Sequence, residues 1–177
     1  EYPEIFRIRQ KFDRPVIEDV AGEVESQLAR LNLGGSIQPG QSVAISAGSR
    51  GIANIHIIIK SIVDHLKGLG AEPFIVPAMG SHGGATPEGQ KRILADYGIT
   101  EQTMGVPIEA AMETREIGRT QNGIPAFTSS AALSADGIVV LNRVKPHTDY
   151  FSRTVGSGLI KMMVVGMGKH DGAANFH

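Results

Sequence analysis

The stretch SVAISAGSRGIANIHIIIKSIVDHLKGLGAEPFIVPAM, residues 42–79, decides the fold. Its two ends, 42–48 and 72–79, are short apolar runs that read as buried strands. The segment between them carries aliphatic side chains at the three-and-four spacing of one helix face: Ile55, Ile58, Ile59, Ile62 and Leu66. Two strands joined by an amphipathic helix predict a βαβ unit, in which both strands run parallel within one sheet.

The alternation of strand and helix continues on both sides of this unit. Residues 4–12 alternate apolar and polar side chains and predict a half-exposed strand. A helix is predicted over residues 17–31, started by Pro15 and ended by Gly34. Another helix is predicted over residues 86–98, with Thr86 as its N-cap and Pro87 in its first position.

The second half of the chain adds strands and one ambiguous segment. Strands are predicted at residues 112–118, 124–129 and 135–142, and the last of them is expected to be the most buried. Residues 156–166 read as a helix or a buried apolar run. These elements predict an α/β fold: a three-layer, Rossmann-like domain over residues 1–177, with a mostly parallel sheet and helices on both faces.

The composition excludes several classes of function. The chain has 17 Lys and Arg against 18 Asp and Glu, so it lacks the basic excess of a nucleic-acid binder. It has no cysteine, which excludes disulfides and thiolate metal sites. Its apolar runs are far shorter than the roughly 18 residues of a membrane span. We therefore expect a cytoplasmic protein with a small-molecule partner, and a homo-oligomer is left open.

The last residues of the chain are small and polar and contain no closing element. We therefore expect this chain to be the N-terminal domain of a two-domain protein, or a processed half of one.

Polar residues follow the predicted strands where each strand ends. In parallel α/β sheets, ligands bind outside the carboxyl ends of the strands. Strand 42–48 leads into Ser49 and Arg50 just before a helix, where backbone N–H groups and the guanidinium favour a carboxylate or phosphate. Strand 72–79 leads into a glycine turn carrying His82, a candidate general acid or base. The alternative for each is an incidental residue in a solvated turn.

The segment NRVKPHTD, residues 142–149, follows the apolar strand 135–142 and presents three functional groups. If this strand is parallel to the others, Lys145, His147 and Asp149 emerge at the same edge of the sheet. Asp149 could orient His147 or cap the next turn. The alternative is a salt-bridged loop.

The remaining candidates lie on helices and near the end of the chain. Lys161 is a lone lysine in an apolar segment. Such a lysine can be a nucleophile or a covalent attachment point. The alternative is a lysine whose aliphatic stem lies along the core with its ammonium group in water. His56 and His65 fall off the apolar stripe of their helix and are expected at the surface. His170 and His177 could each ligate a metal, but their spacing matches no standard zinc pattern.

Four segments occur in the order found in the lactate racemase-like family, whose N-terminal domain they resemble. They are SAGSRGIANI (46–55), PAMGSHGGATPEGQ (77–90), NRVKPHTD (142–149) and SGLIKMMVVGMGKH (157–170) with the closing NFH. The resemblance covers residues 42–177. It implies a racemase or epimerase of a 2-hydroxy acid, with a nickel-pincer nucleotide cofactor (nickel pyridinium bisthiocarboxylate mononucleotide) and an active site between two domains.

The resemblance also implies roles for individual residues. His82 and His147 correspond to the two acid/base groups, one of which removes the hydroxyl proton while hydride passes to the cofactor. Arg50 corresponds to the residue at the cofactor or substrate anion, and Lys161 to the lysine that links the cofactor. Lys145 is predicted from its own position and charge, rather than from the resemblance, as a further cofactor-binding residue. A nickel ligand is implied at His177.

Three motifs differ from the family pattern. The family has an aromatic residue directly after the second histidine, whereas Thr148 and Asp149 stand here before Tyr150. The family's D-x-T-R turn is Ala47-Gly48-Ser49-Arg50 here, and its G-G-R-K is Gly158-Leu159-Ile160-Lys161. These differences predict a divergent relative acting on another hydroxy acid. They also leave open a non-catalytic domain that binds an anionic nucleotide or metabolite, and a metal-independent enzyme that uses Lys161.

Overall fold

The computed structural model describes residues 3, 5–13, 15–145 and 157–176. Its strands are β1 (Ser42–Ala47), β2 (Glu72–Pro77), β3 (Thr114–Arg119), β4 (Pro125–Ser129) and β5 (Gly137–Val139). Its α-helices are α1 (Val20–Arg30), α2 (Ile55–Gly68), α3 (Pro87–Asp96), α4 (Glu101–Met104), α5 (Ser130–Leu133), α6 (Leu159–Lys161) and α7 (Lys169–Phe176). A π-helical segment, Met162–Gly166, joins α6 to α7, and short 3₁₀ turns occur at Leu33–Gly35 and Gly83–Ala85.

Three parallel strands form the main sheet, in the order β2-β1-β5. Strands β3 and β4 form a separate antiparallel pair. The chain is therefore a mixed α/β structure with a three-stranded parallel sheet, as the βαβ pattern predicts. Its Rossmann-like, three-layer character, the single domain over 1–177 and the second domain stay predictions.

Helix α2 covers one face of the sheet because its aliphatic stripe and alternate residues of β1 and β2 point at each other. Ile59 and Leu66 of α2 and Ile45 and Ile75 of the strands are fully buried in this cluster. Burying each such side chain contributes about 1.5–3 kcal/mol. The other alternate residues form a second cluster with α5 and the π-helical segment: Ala44, Val76, Ala78, Ala132, Met162 and Met167.

Two serines of β1 hold strand β5 at both of its ends. At the amino end, the Asp136 carboxylate accepts hydrogen bonds from the backbone N–H and the hydroxyl of Ser42, each at 2.8 Å. The first of these bonds is the main reason that the pKa of Asp136 is lowered. At the carboxyl end, Ser46 Oγ accepts from the backbone N–H of Leu141 at 2.9 Å. The loop that follows β5 is thereby tied to the central strand.

Helix α3 begins as predicted, because Thr86 Oγ1 accepts from the backbone N–H of Gly89 at 3.1 Å and Pro87 occupies the first turn. Helix α1 begins later than predicted, with Asp19 rather than Pro15 before it. Within the segment 156–166, residues 159–166 are helical, which confirms the first of its two interpretations.

One predicted strand is absent, and another is shorter and less buried than predicted. Residues 5–12 form no strand, and Ile5 and Ile8 are 96% and 82% exposed, because this segment has no neighbouring strand within the described residues. The apolar run 135–142 contributes only the three residues of β5, which lies at the edge of the sheet with Ile138 40% exposed. The most buried strand is β1, which has partners on both sides.

None of the helices in the described parts of the chain combines the length and the apolar character that a bilayer crossing requires.

Candidate active site

The carboxyl ends of β1, β2 and β5 meet at a cavity of about 430 Å³. The turn after β1 supplies Ser49 and Arg50, the turn after β2 supplies His82, and the loop after β5 supplies Arg143 and Lys145. The π-helical segment and the last residue of α6 close the cavity from another side. Parallel strands with this order place three loops at one edge, which is why residues far apart in sequence converge here.

The cavity wall is cationic. Arg50, Lys145 and Lys161, all predicted as site residues, line it, and so does Arg143. None of the lining residues in the described part of the chain is acidic. Such a wall favours an anionic ligand, and the guanidinium groups can bind a carboxylate or phosphate through two hydrogen bonds. Sequence reasoning missed Arg143, although it stands two residues before Lys145 in the segment NRVKPHTD.

His82 is half-buried and its ring is held by a neighbouring turn. Its Nδ1 lies 2.6 Å from Ser49 Oγ. Ser49 is itself fixed, because its carbonyl oxygen accepts a hydrogen bond from the Tyr97 hydroxyl at 2.9 Å. The turns after β1 and β2 are therefore joined through a serine and a histidine that both line the cavity. Sequence reasoning assigned no role to Ser49 or Tyr97.

The turn that carries His82 requires glycine. Gly80 and Gly83 have φ angles of +60° and +68°, a region that other residues rarely adopt. A Cβ on Gly83 would also lie 2.5 Å from the backbone of Gly89 in the first turn of α3. The glycines around His82 thus let its turn lie directly against α3.

A fully buried lysine, Lys169, lies behind this turn and was missed in the sequence. Its Nζ donates hydrogen bonds to the carbonyl oxygen of Pro77 at 2.7 Å and to Gln90 Oε1 at 3.1 Å. Burial lowers the pKa of Lys169 from its usual value to about 8, and the negative charge of Glu113 opposes this shift. The signal in the sequence was a lone lysine inside the glycine-rich run GMGKH.

Lys161 stands where α6 gives way to the π-helical segment. Single π-helical turns inside helices often occur at functional sites, since they displace side chains from the regular spacing. Close packing fixes this segment, because a Cβ on Gly166 would lie 2.8 Å from the carbonyl oxygen of Ala78. Lys161 is half-buried and lines the cavity.

The remaining candidate residues of the sequence do not line the cavity within the described part of the chain. His147, Asp149 and His177 lie outside the described residues, so their predicted roles stay predictions. His56 is exposed, whereas the side chain of His65 is only 12% exposed and its Nδ1 lies 2.9 Å from a carboxylate oxygen of Glu25.

His170, considered above as a metal ligand, is exposed on α7. Among the residues that the structure describes, no three His, Asp or Glu side chains are grouped so that they could hold a metal ion.

No curated protein sequence matches the chain. The family described as the lactate racemase N-terminal domain matches residues 14–177, which is nearly the whole length and includes every residue discussed at the cavity. The chain belongs to the lactate racemase N-terminal domain family.

Proposed function

We propose that this chain forms one half of the active site of a racemase or epimerase that acts on a 2-hydroxy acid. One observation carries the proposal: a histidine and four cationic side chains line a single cavity at the carboxyl ends of the sheet. A 2-hydroxy acid offers a carboxylate for the cations and a hydroxyl for the histidine. Family membership supports the same class of reaction.

His82 is the proposed acid/base group in the described part of the site. In the tautomer whose Nδ1 carries the proton, Nδ1–H donates to Ser49 Oγ and Nε2 is the basic nitrogen. Nε2 can then accept the hydroxyl proton of the substrate. The resulting imidazolium keeps its hydrogen bond to Ser49, so the ring need not rotate when it gains or returns the proton.

A second acid/base group is required, because the hydroxyl proton is removed on one side of the substrate and must be returned to the same oxygen on the other side when the opposite enantiomer forms. We propose His147 for this role. Lys145 stands two residues before His147 in the sequence and lines the cavity, as does Ser157, whose carbonyl oxygen accepts from the Lys145 backbone N–H at 3.2 Å. The position of Lys145 at the cavity supports the proposal that His147 works together with His82.

The residues at the cavity fit the anionic part of a nickel-pincer nucleotide. Arg50, Lys145 and Lys161 would hold its phosphate and carboxylate groups, and Lys161 stands at the position of the family's linking lysine. The described residues offer no metal-binding cluster, so the nickel would be held by donor atoms of the cofactor and by His177. When bound, the cofactor would supply a hydride acceptor. The complete site would also need the proposed second domain.

The proposal is tested with the full-length protein, loaded with cofactor, and a panel of enantiopure 2-hydroxy acids carrying deuterium at C2. We expect the opposite enantiomer to form with its deuterium retained, because the hydrogen moves as hydride and does not mix with water. His82→Gln should lose at least about a hundredfold in kcat, as the removal of a general acid/base does. His56→Gln, at an exposed position on α2, serves as the matched control.

Two results would count against this function. Full activity in His82→Gln would remove the proposed acid/base group, and complete exchange of deuterium with solvent would replace hydride transfer by proton abstraction at carbon.

A non-catalytic anion-binding domain is the second candidate, because the cationic wall would bind an anion without any chemistry. This alternative predicts that the same hydroxy acids bind, as measured by calorimetry, while neither enantiomer is converted. Binding should then weaken in Arg50→Met and be unaffected in His82→Gln.

A further inference from the structure

A buried polar chain connects Lys169 to the turn that carries His82. Lys169 and Gln90 are both 0% exposed, although they are 79 residues apart in sequence. Gln90 lies on α3, and its Nε2 donates to the carbonyl oxygens of Gly80 at 2.9 Å and His82 at 3.3 Å. The carbonyl oxygens on both sides of Ser81 are thus bonded to one side-chain amide.

The lysine determines the orientation of that amide. A lysine ammonium only donates hydrogen bonds, so its contact with Gln90 requires the amide oxygen on that side. The amide NH₂ must then face the turn, which offers only carbonyl oxygens. Because the amide cannot flip without losing every one of these bonds, the chain from Lys169 through Gln90 has a single arrangement.

The buried Lys169 lowers the stability of the folded protein, compared with an apolar side chain at the same position. Lys169 has φ +53°, a conformation that residues other than glycine rarely adopt, and its ammonium group is removed from water. A methionine would fill a similar volume without burying a charge. Lys169 does not line the cavity, so it does not act on a ligand directly.

We propose that Lys169 and Gln90 are positioning residues that hold the His82 turn in the geometry needed for proton transfer. This inference rests on the proposed function, since only an acid/base role gives the geometry of His82 its importance. His82 is thereby held from two sides, by Ser49 at its ring and by Gln90 at its backbone.

The positioning role is tested with a double variant that combines Gln90→Met and Lys169→Met. Removing both polar groups together leaves neither side chain buried without its counterpart, but the carbonyl oxygens of Pro77, Gly80 and His82 each lose a donor. We therefore expect a folded protein with a lower denaturation midpoint than the wild type. The turn thereby loses its hydrogen-bond donor. Hydrogen–deuterium exchange of the amides of residues 80–85 should become about tenfold faster or more, and kcat should fall about tenfold with little change in KM.

Gln90→Glu is an independent second variant. A carboxylate still accepts from Lys169, but its second oxygen has no hydrogen to donate and repels the carbonyl oxygens of Gly80 and His82. We expect this variant to release the turn and to show the same faster exchange and lower kcat. Lys60→Met, which removes an exposed lysine paired with Asp64 on α2, is the matched control and should change none of these readouts.

The outcomes separate this inference from the proposed function. Wild-type exchange rates at residues 80–85 in a folded double variant, or in Gln90→Glu, would overturn the positioning role. Faster exchange with unchanged kcat would also overturn it, because the turn would then be irrelevant to the reaction. If the wild type converts no hydroxy acid, the proposed function fails, and exchange at residues 80–85 alone still decides whether the turn is held.

Discussion

The buried lysine predicts a pH dependence of stability with a defined sign and size. Burial lowers the pKa of Lys169 from 10.5 in the unfolded chain to about 8 in the folded protein. Between these values the unfolded state binds more protons than the folded state, so stability rises with pH. The contribution of neutral Lys169 to the free energy of unfolding is complete above pH 10.5, and it is lost as the pH falls through 8.

The magnitude follows from the size of the shift. A tenfold change in proton affinity corresponds to 1.36 kcal/mol, so the lowering of the pKa from 10.5 to about 8 gives about 3 kcal/mol between pH 7 and 10.5. Other groups titrate over this range, but their effects cancel in the difference between the wild type and Lys169→Met. We therefore expect the wild type to gain about 3 kcal/mol relative to Lys169→Met over this interval.

The assay is urea denaturation of both proteins in steps from pH 7 to 10.5, with the free energy of unfolding extrapolated to water. The reasoning would be refuted if the difference between the two proteins stayed constant with pH. A difference that shrank as the pH rose would show that the ammonium is stabilised inside the fold, and would reverse the assigned cause.

Three further predictions test other parts of the structure. Ser49→Ala should lower kcat about tenfold in steady-state assays, because the hydrogen bond to His82 is lost. Ser49→Thr keeps a hydroxyl and should retain more of the activity. Equal rates in the two variants would show that the Ser49 hydroxyl does not position His82. Gly166→Ala places a Cβ 2.8 Å from the carbonyl oxygen of Ala78 and should cost about 1–3 kcal/mol in urea denaturation, a loss that an unchanged midpoint would contradict. Because the pKa of Asp136 is lowered in the folded protein, its carboxylate contributes stability that is lost in acid. The free energy of unfolding of Asp136→Asn should therefore decline less below about pH 4 than that of the wild type. Parallel declines in the two proteins would exclude this contribution.

The position of the site could be predicted because parallel strands impose it. Once residues 42–79 are read as a βαβ unit, the carboxyl ends of the strands must lie at one edge, and Arg50, His82 and Lys145 follow directly from that rule. The helix N-cap at Thr86 was equally local and was confirmed. In each of these cases the signal lies within a few residues of the feature that it predicts.

The missed features depend on contacts between distant parts of the chain. The pairing of Ser49 with His82 spans 33 residues and depends on the paths of two turns. Lys169, at the start of α7, is buried where its side chain meets Pro77 at the end of β2 and Gln90 of α3, and no local sequence pattern predicts these distant contacts. The strand predicted at residues 4–12 failed for a related reason: alternation describes the side chains of a strand but cannot say whether an edge is available to pair with it.

The serine contacts at the two ends of β5 have a consequence for the folding kinetics. These contacts join residues that are separated by 94 and 95 positions in the sequence. Forming them closes a long loop, and the chain loses the conformational entropy of that loop before the new contacts compensate the loss. The βαβ unit needs no such closure. We therefore expect the sheet to mature from β1 and β2 outward, with the cavity completed late, so that substitutions at Ser42 or Ser46 mainly accelerate unfolding and leave the folding rate nearly unchanged.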